Sequence, residues 1–188
     1  MGVAERKGRE RAARESRITE AARAIAADEG WNAVTIRRLA SEIEYSQPVV
    51  YSHFQNREAI VAAVAVQGFR DLAASLRKAA ESAADRKAVL RKVAEAYLDF
   101  ASQNPSLYEA MFTMPTGLEF AGSDTIPELR EAFAALAAVS TSPKGHDEIA
   151  TETFWAALHG LAELERSGRI RPIARDQRLA LVTDKLLQ

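Results

Sequence analysis

The sequence predicts an all-α chain, on three observations. Alanine, leucine, arginine and glutamate are abundant, and all four are good helix formers. Apolar residues recur at i, i+3, i+4 and i+7, the mark of one buried helix face. No stretch alternates apolar and polar residues with β-branched enrichment between turns, so no strand is expected. The 188 residues, 47% of them apolar, suffice for one domain or for a small module fused to a medium one.

The first helix is set by Ile18, Ala21, Ala22 and Ile25 on one face, and Gly30 can end it by adopting φ > 0. Thr35 suits an N-cap for a second helix carrying Ile36, Leu39, Ala40 and Ile43. That helix is about two turns long, too short to be stable alone. Ser46 can cap a third helix through its hydroxyl, with Pro48 in the first turn, where a missing N–H removes no intrahelical bond. Val50 and Phe54 share its inward face, which leaves Gln47, Pro48, Val49, Ser52 and His53 on or near the other.

Asn56 can cap a fourth helix that carries Ile60, Val64, Phe69, Leu72 and Leu76 to about Ala80. Asp85 can cap a fifth, with Val89, Val93, Tyr97 and Phe100. Asn104-Pro105 restarts the chain into a short aromatic-rich helix, Leu107 to Met114. Pro115 to Pro127 reads as a loop on its glycines and prolines, and a helix follows to about Val139. After a second loop, Ser140 to Gly145, come two long helices, about His146 to Ser167 and Ala174 to Leu187, with Gly168 and Pro172 between them.

Cysteine is absent, which excludes disulfides and thiolate chemistry and suits a reducing cytoplasm. The charged N-terminus has no apolar core of a signal peptide, and the unbroken apolar run Ala132 to Val139 is far too short to span a membrane. Net charge is −1, but residues 1–23 carry seven basic against four acidic residues. That basic arm on a balanced chain is a candidate phosphate-binding feature, set against a solvated leader. His146-Asp147-Glu148 are adjacent and so point apart on a helix, so no metal site is expected. No catalytic constellation, phosphate loop or cofactor motif is present, and the expected activity is not enzymatic.

Three short helices with tight turns before a long connector suggest a helix-turn-helix, because only Glu44 and Tyr45 join the second and third. In that motif the third helix enters the major groove. Gln47 can pair with adenine, Pro48 and Val49 can touch thymine methyls, and Tyr51 and His53 can donate to phosphates.

The stretch TIRRLASEIEYSQPVVYSHFQNREAI, Thr35 to Ile60, resembles the N-terminal fingerprint of the TetR family of bacterial transcriptional repressors. The likeness rests on Thr35, the Leu39-Ala40 pair, Ser46, Tyr51 with Phe54, and the Arg57-Glu58 step, and it reaches back to about Ser16. It implies a DNA-binding surface of Thr35, Arg37, Ser46, Gln47, Pro48, Val49, Tyr51, Ser52, His53 and Arg57. Two departures stand out. The family usually has glycine in the turn where this chain has Glu44, which must then tolerate φ > 0 or use another turn, and often has lysine at the position of Arg57.

Trp155-Ala-Ala-Leu-His159-Gly160 resembles the Trp…His-Gly signature of one TetR-type C-terminal class, which implies effector binding and dimerisation. Tyr97, Phe100, Tyr108, Met111, Phe112, Phe133, Trp155 and His159 are candidate effector contacts, the bland alternative being plain core. Phe154, Leu158, Leu161, Leu179, Val182 and Leu186 are candidate dimer contacts.

The resulting expectation is a basic, flexible arm at 1–15, a helix-turn-helix DNA-binding domain at 16–56 and a helical effector-binding and dimerisation domain at 57–188. Its partners are a near-palindromic double-stranded DNA operator, a second copy of the chain, and an apolar or aromatic small-molecule effector that relieves repression; no membrane is involved. The rivals are a small-molecule-handling enzyme or carrier with structural N-terminal helices, and an architectural DNA binder with no effector. Salt-dependent DNA binding separates the first rival, and an apolar C-terminal pocket argues against the second.

Overall fold

The computed structural model describes residues 2–120, 122–140 and 147–186, and it carries nine α-helices and no strand among them. They are α1 (Val3–Glu29), α2 (Ile36–Glu42), α3 (Gln47–Tyr51), α4 (Arg57–Glu81), α5 (Arg86–Gln103), α6 (Pro105–Phe112), α7 (Pro127–Ser140), α8 (Asp147–Arg166) and α9 (Arg175–Leu186). The expected helix start at His146 and end at Leu187 lie outside the described residues.

The helix boundaries follow local chemistry. Gly30 stands at φ 81° and stops α1. Thr35 Oγ1 accepts from the Arg38 N–H at 3.1 Å, Asn56 Oδ1 from Ala59 N–H at 2.8 Å, and Asp85 Oδ1 from Ala88 N–H at 2.9 Å, so three expected caps form. Ser46 differs. It occupies the N-cap of α3 with extended backbone, but its hydroxyl makes no capping bond, and it serves through its carbonyl, which accepts from Val49 at 3.0 Å.

The N-terminal end also differs from expectation. Residues 3–15, expected as a flexible arm, continue α1, and the side chains of residues 4–14 are all exposed. Arg6–Glu10 and Arg11–Glu15 ion pairs at i, i+4 support this stretch.

The chain divides into two compact units: Met1–Gly68 with Ser106–Leu118, and Phe69–Pro105 with Glu119–Gln188. The first is therefore larger than the expected 16–56 and includes most of α6. Its core combines Ile18, Ile25, Trp31, Leu39, Val50 and Val64 with Leu107, Tyr108 and Met111. The Trp31 indole donates to the Ser106 carbonyl at 2.8 Å. At Gly68 the backbone of α4 comes so near α6 that a Cβ would sit 2.6 Å from Met111 Sδ.

In the second unit α5 is central, packing against α7, α8 and α9 through Leu90, Val93, Tyr97 and Leu98. One unbroken helix, α4, leaves the first unit at Gly68 and enters the second at Phe69. By length and composition α4 could cross a bilayer, but its Ile60, Val61, Val64, Phe69, Leu72 and Leu76 are buried in protein.

Candidate nucleic-acid interface

Between Ile43, which caps the end of α2, and Ser46, which caps the start of α3, only Glu44 and Tyr45 make the turn, and it forces one of them into the left-handed region. Glu44 takes that conformation at φ 57°, the only non-glycine at positive φ among the described residues. The Tyr45 N–H then reaches back to the Ala40 carbonyl at 2.9 Å, closing α2 and aiming the chain into α3. An L-residue there loses roughly 1 kcal/mol relative to glycine. Glu44→Gly is accordingly expected to raise the urea midpoint by an amount worth about 1 kcal/mol at unchanged m-value; a lower midpoint would show that the Glu44 side chain supports the turn.

Helix α3 is short but does not stop abruptly at Tyr51. Ser52, His53 and Phe54 N–H groups bond back to Pro48, Val50 and Val50 carbonyls at 3.0 Å each, adding most of another turn. Val50 is fully buried and anchors the helix, while Gln47, Pro48 and Ser52 are exposed, Val49 is half-exposed and Tyr51 is 52% exposed. Thr35 and Arg37 at the start of α2 are exposed as well. The Thr35 hydroxyl accepts as a cap and retains its own proton to donate.

Two of the expected contacts face elsewhere. The His53 side chain is only 5% exposed, with Nδ1 3.3 Å from Glu15 Oε1 on α1, so it is not presented as a phosphate donor. Arg57 turns into the unit. Its Nε donates to the Val34 carbonyl at 2.8 Å and its terminal nitrogen to the Trp31 carbonyl at 2.7 Å, holding the start of α4 against the turn before α2.

Glu15 and Arg17 are contacts that local periodicity does not reveal. The Arg17 guanidinium lies over the Tyr45 ring at 5.4 Å, so α1 meets the chain just before α3 through Arg17 and just after it through Glu15.

The expected effector residues separate. Tyr108 and Met111 are fully buried in the first unit, where Tyr108 packs on half-buried Phe112 at 4.7 Å. Tyr97, Phe100, Phe133, Trp155 and His159 belong to the second. There the Trp155 indole donates to the Tyr97 hydroxyl at 3.1 Å and its ring faces His159 at 6.3 Å. Phe120, not foreseen, stacks on Trp155 at 6.3 Å and meets Phe69 edge-on at 5.6 Å. Burial pushes the His159 imidazole below its usual range, with Glu163 pulling weakly the other way, so this aromatic surface favours an uncharged ring.

The expected dimer contacts separate too. Phe154, Leu158 and Leu179 are interior to the second unit, whereas Leu161, Val182 and Leu186 are half-exposed. Among the described residues no group of three or more His, Asp or Glu side chains is placed to hold a metal ion.

Comparison with known proteins agrees with this architecture. Residues 18–64 match the family described as bacterial regulatory proteins, tetR family, and residues 90–186 match the tetracyclin repressor-like C-terminal domain. An uncharacterized HTH-type transcriptional regulator of Mycobacterium tuberculosis is 34% identical over 178 residues, covering 91% of this chain and 77% of its own length. Two solved structures share the fold. One is a protein of unknown function from Rhodococcus sp. RHA1, with TM-score 0.73 and 24% identity over 92% of each chain. The other is PfmR, a TetR family transcriptional regulator from Thermus thermophilus, with TM-score 0.59 and 21% identity over 90% of this chain and 96% of that one. The chain belongs to the TetR family and is a helix-turn-helix transcriptional regulator.

Proposed function

We propose that this regulator is a cytoplasmic homodimeric repressor that reads a near-palindromic operator with α3 and releases it when an apolar or aromatic small molecule binds the second unit. The observation that carries the reading is the split of α3: Val50 is fully buried while Gln47, Pro48, Val49, Tyr51 and Ser52 reach solvent. Gln47, Val49 and Pro48 then serve as base-edge readers, and Thr35, Arg37 and the Tyr51 hydroxyl as phosphate contacts that set register. Arg57 and His53 support this surface from behind.

The effector is placed against Tyr97, Phe120, Trp155 and His159, where aromatic faces and one uncharged imidazole suit a neutral guest better than an anion. Such a ligand acts only if it binds the DNA-incompetent state more tightly than the competent one. Helix α4, shared by both units, is the element whose position it would bias. The proposed activity is binding alone, with no catalytic step.

Selection of bound duplexes from a random pool tests the reading. The expected product is a site with two-fold symmetry and half-sites about one helical turn apart. Gln47→Ala should then relax one position in each half-site at a cost of about 1–3 kcal/mol. A selected pool without symmetry, or an unchanged preference in Gln47→Ala, Pro48→Ala and Val49→Ala alike, would remove α3 as the reader.

A further inference from the structure

The exposed start of α1 has a pattern of its own. Lys7, Arg11, Arg14, Ile18, Ala22 and Ile25 follow one another at spacings of three or four and so lie on one helix face. From Ile18 onward that face is buried in the first unit; before it, the same face is basic and solvent-exposed. The change comes at Glu15 and Arg17, the residues that touch the two ends of the recognition segment through His53 and Tyr45. The stripe is therefore apolar where α1 packs into the first unit and cationic in the exposed turns that precede Glu15 and Arg17.

The charges on this projecting stretch are unequal in availability. Arg6 is paired with Glu10 and Arg11 with Glu15. Lys7, Arg9 and Arg14 have no acidic partner among the described residues. Lys7 and Arg14, seven apart, share the face that continues toward the bundle, and Arg9 points to the opposite side. From Glu15 back to Ala4 the helix is about 16 Å long at 1.5 Å per residue. The major groove is about 12 Å wide, so an arm of this length that starts beside a helix seated in that groove is long enough to meet the phosphates flanking it.

We propose that residues 4–14 form a second DNA contact, in which Lys7 and Arg14 bind backbone phosphates of the duplex outside the base pairs read by α3. This inference rests on the DNA-binding reading of α3. The arm adds affinity and salt dependence without adding sequence preference, because phosphates are the same at every base pair. No core residue is involved, since residues 4–14 are all exposed.

The test is fluorescence anisotropy of the full chain with a labelled 30-base-pair mixed-sequence duplex, titrated between 50 and 200 mM KCl. Each phosphate contact contributes about 0.9 to the slope of log K against log salt. Lys7→Gln with Arg14→Gln is expected to lower the slope by roughly 2 units per bound chain and to weaken binding on the order of ten-fold or more at 100 mM. Arg9→Gln should leave the slope nearly as it was. Deleting residues 1–14 should reproduce the double variant, with the melting temperature retained, which guards against a folding artefact. A wild-type slope in both the double variant and the deletion would overturn the arm while leaving α3 as the reader. An equal loss from Arg9→Gln would overturn the face assignment. If the wild-type chain bound no duplex at any salt, the reading of α3 and this inference would fall together.

Discussion

Replacing Arg57 by alanine is expected to lower stability by about 3 kcal/mol and leave the salt slope of DNA binding unchanged. The guanidinium donates to two carbonyls, those of Trp31 and Val34, at the point where α4 begins. A hydrogen bond involving a charged group contributes on the order of 1.5–3 kcal/mol, and both carbonyls lose their partner at once. In a chain of this length that corresponds to a fall in melting temperature of roughly 6–12 °C. Lysine keeps the charge but has a single ammonium in place of two divergent donors, so Arg57→Lys should recover only part of the loss. Were Arg57 a phosphate contact, the alanine variant would melt like the parent and its salt slope would fall by about 0.9 per chain. Thermal melts and anisotropy titrations on the two variants decide between these outcomes.

The contrast between Arg57 and Gln47 shows where sequence reading succeeds in the first unit. Caps and stops are local: Gly30, Thr35, Asn56 and Asp85 act within a few residues of themselves, and each behaves as its type dictates. The strain at Glu44 is local too, because a two-residue connection leaves the backbone few routes. The exposed face of α3 is legible because Val50 marks the opposite one. Partner choice is not local. Arg57 and His53 carry groups suited to a phosphate, yet Trp31, Val34 and Glu15 lie across from them in space, at sequence distances that periodicity does not report. Ser46 has the right residue type and backbone for a capping bond and makes none, so position alone is informative there.

In the second half the limit is of another kind. A run of large apolar residues marks the inner face of a helix, and Phe154, Leu158 and Leu179 are on it. A surface that meets another chain has no such signature, because its small and mixed residues look like an ordinary exposed side. Aromatic content misleads in a similar way. Tyr108 and Met111 resemble pocket walls in composition, but they pack within the first unit, where Leu107 and Met111 lie close to Gly68. Phe120 carries no periodic signal at all, because it stands alone in a loop without an apolar neighbour at helical spacing.

The exposed side of α8 is where the dimer should form, and disrupting it carries the largest expected effect on DNA binding. Ile149 (63% exposed), Thr153, Ala156, Gly160 and Leu164 follow at spacings of three and four on one face, and Leu181 of α9 is 63% exposed. A groove lined by Thr153, Phe154, Ala157, Leu181, Val182, Lys185 and Leu186 runs between the two helices. Gly160 is the telling residue. A mid-helix glycine costs about 1 kcal/mol relative to alanine, yet a Cβ there would meet nothing within 4 Å in this chain. Its smallness serves no packing within the monomer, which is consistent with close approach of a second helix. Gly160→Leu is therefore expected to leave the monomer folded, or to stabilise its helix, while forcing the subunits apart. Leu181→Lys should do the same by placing a charge in a mostly apolar contact, beside Lys185 of the same helix turn. Two linked heads bind more tightly than one by roughly 10²–10⁴, so both variants should lose about that much affinity for a two-half-site duplex while keeping that for a single half-site. Sedimentation at micromolar concentration reads the assembly directly. A monomeric wild type, or a Gly160→Leu chain that still sediments as a dimer, would move the interface away from α8 and α9.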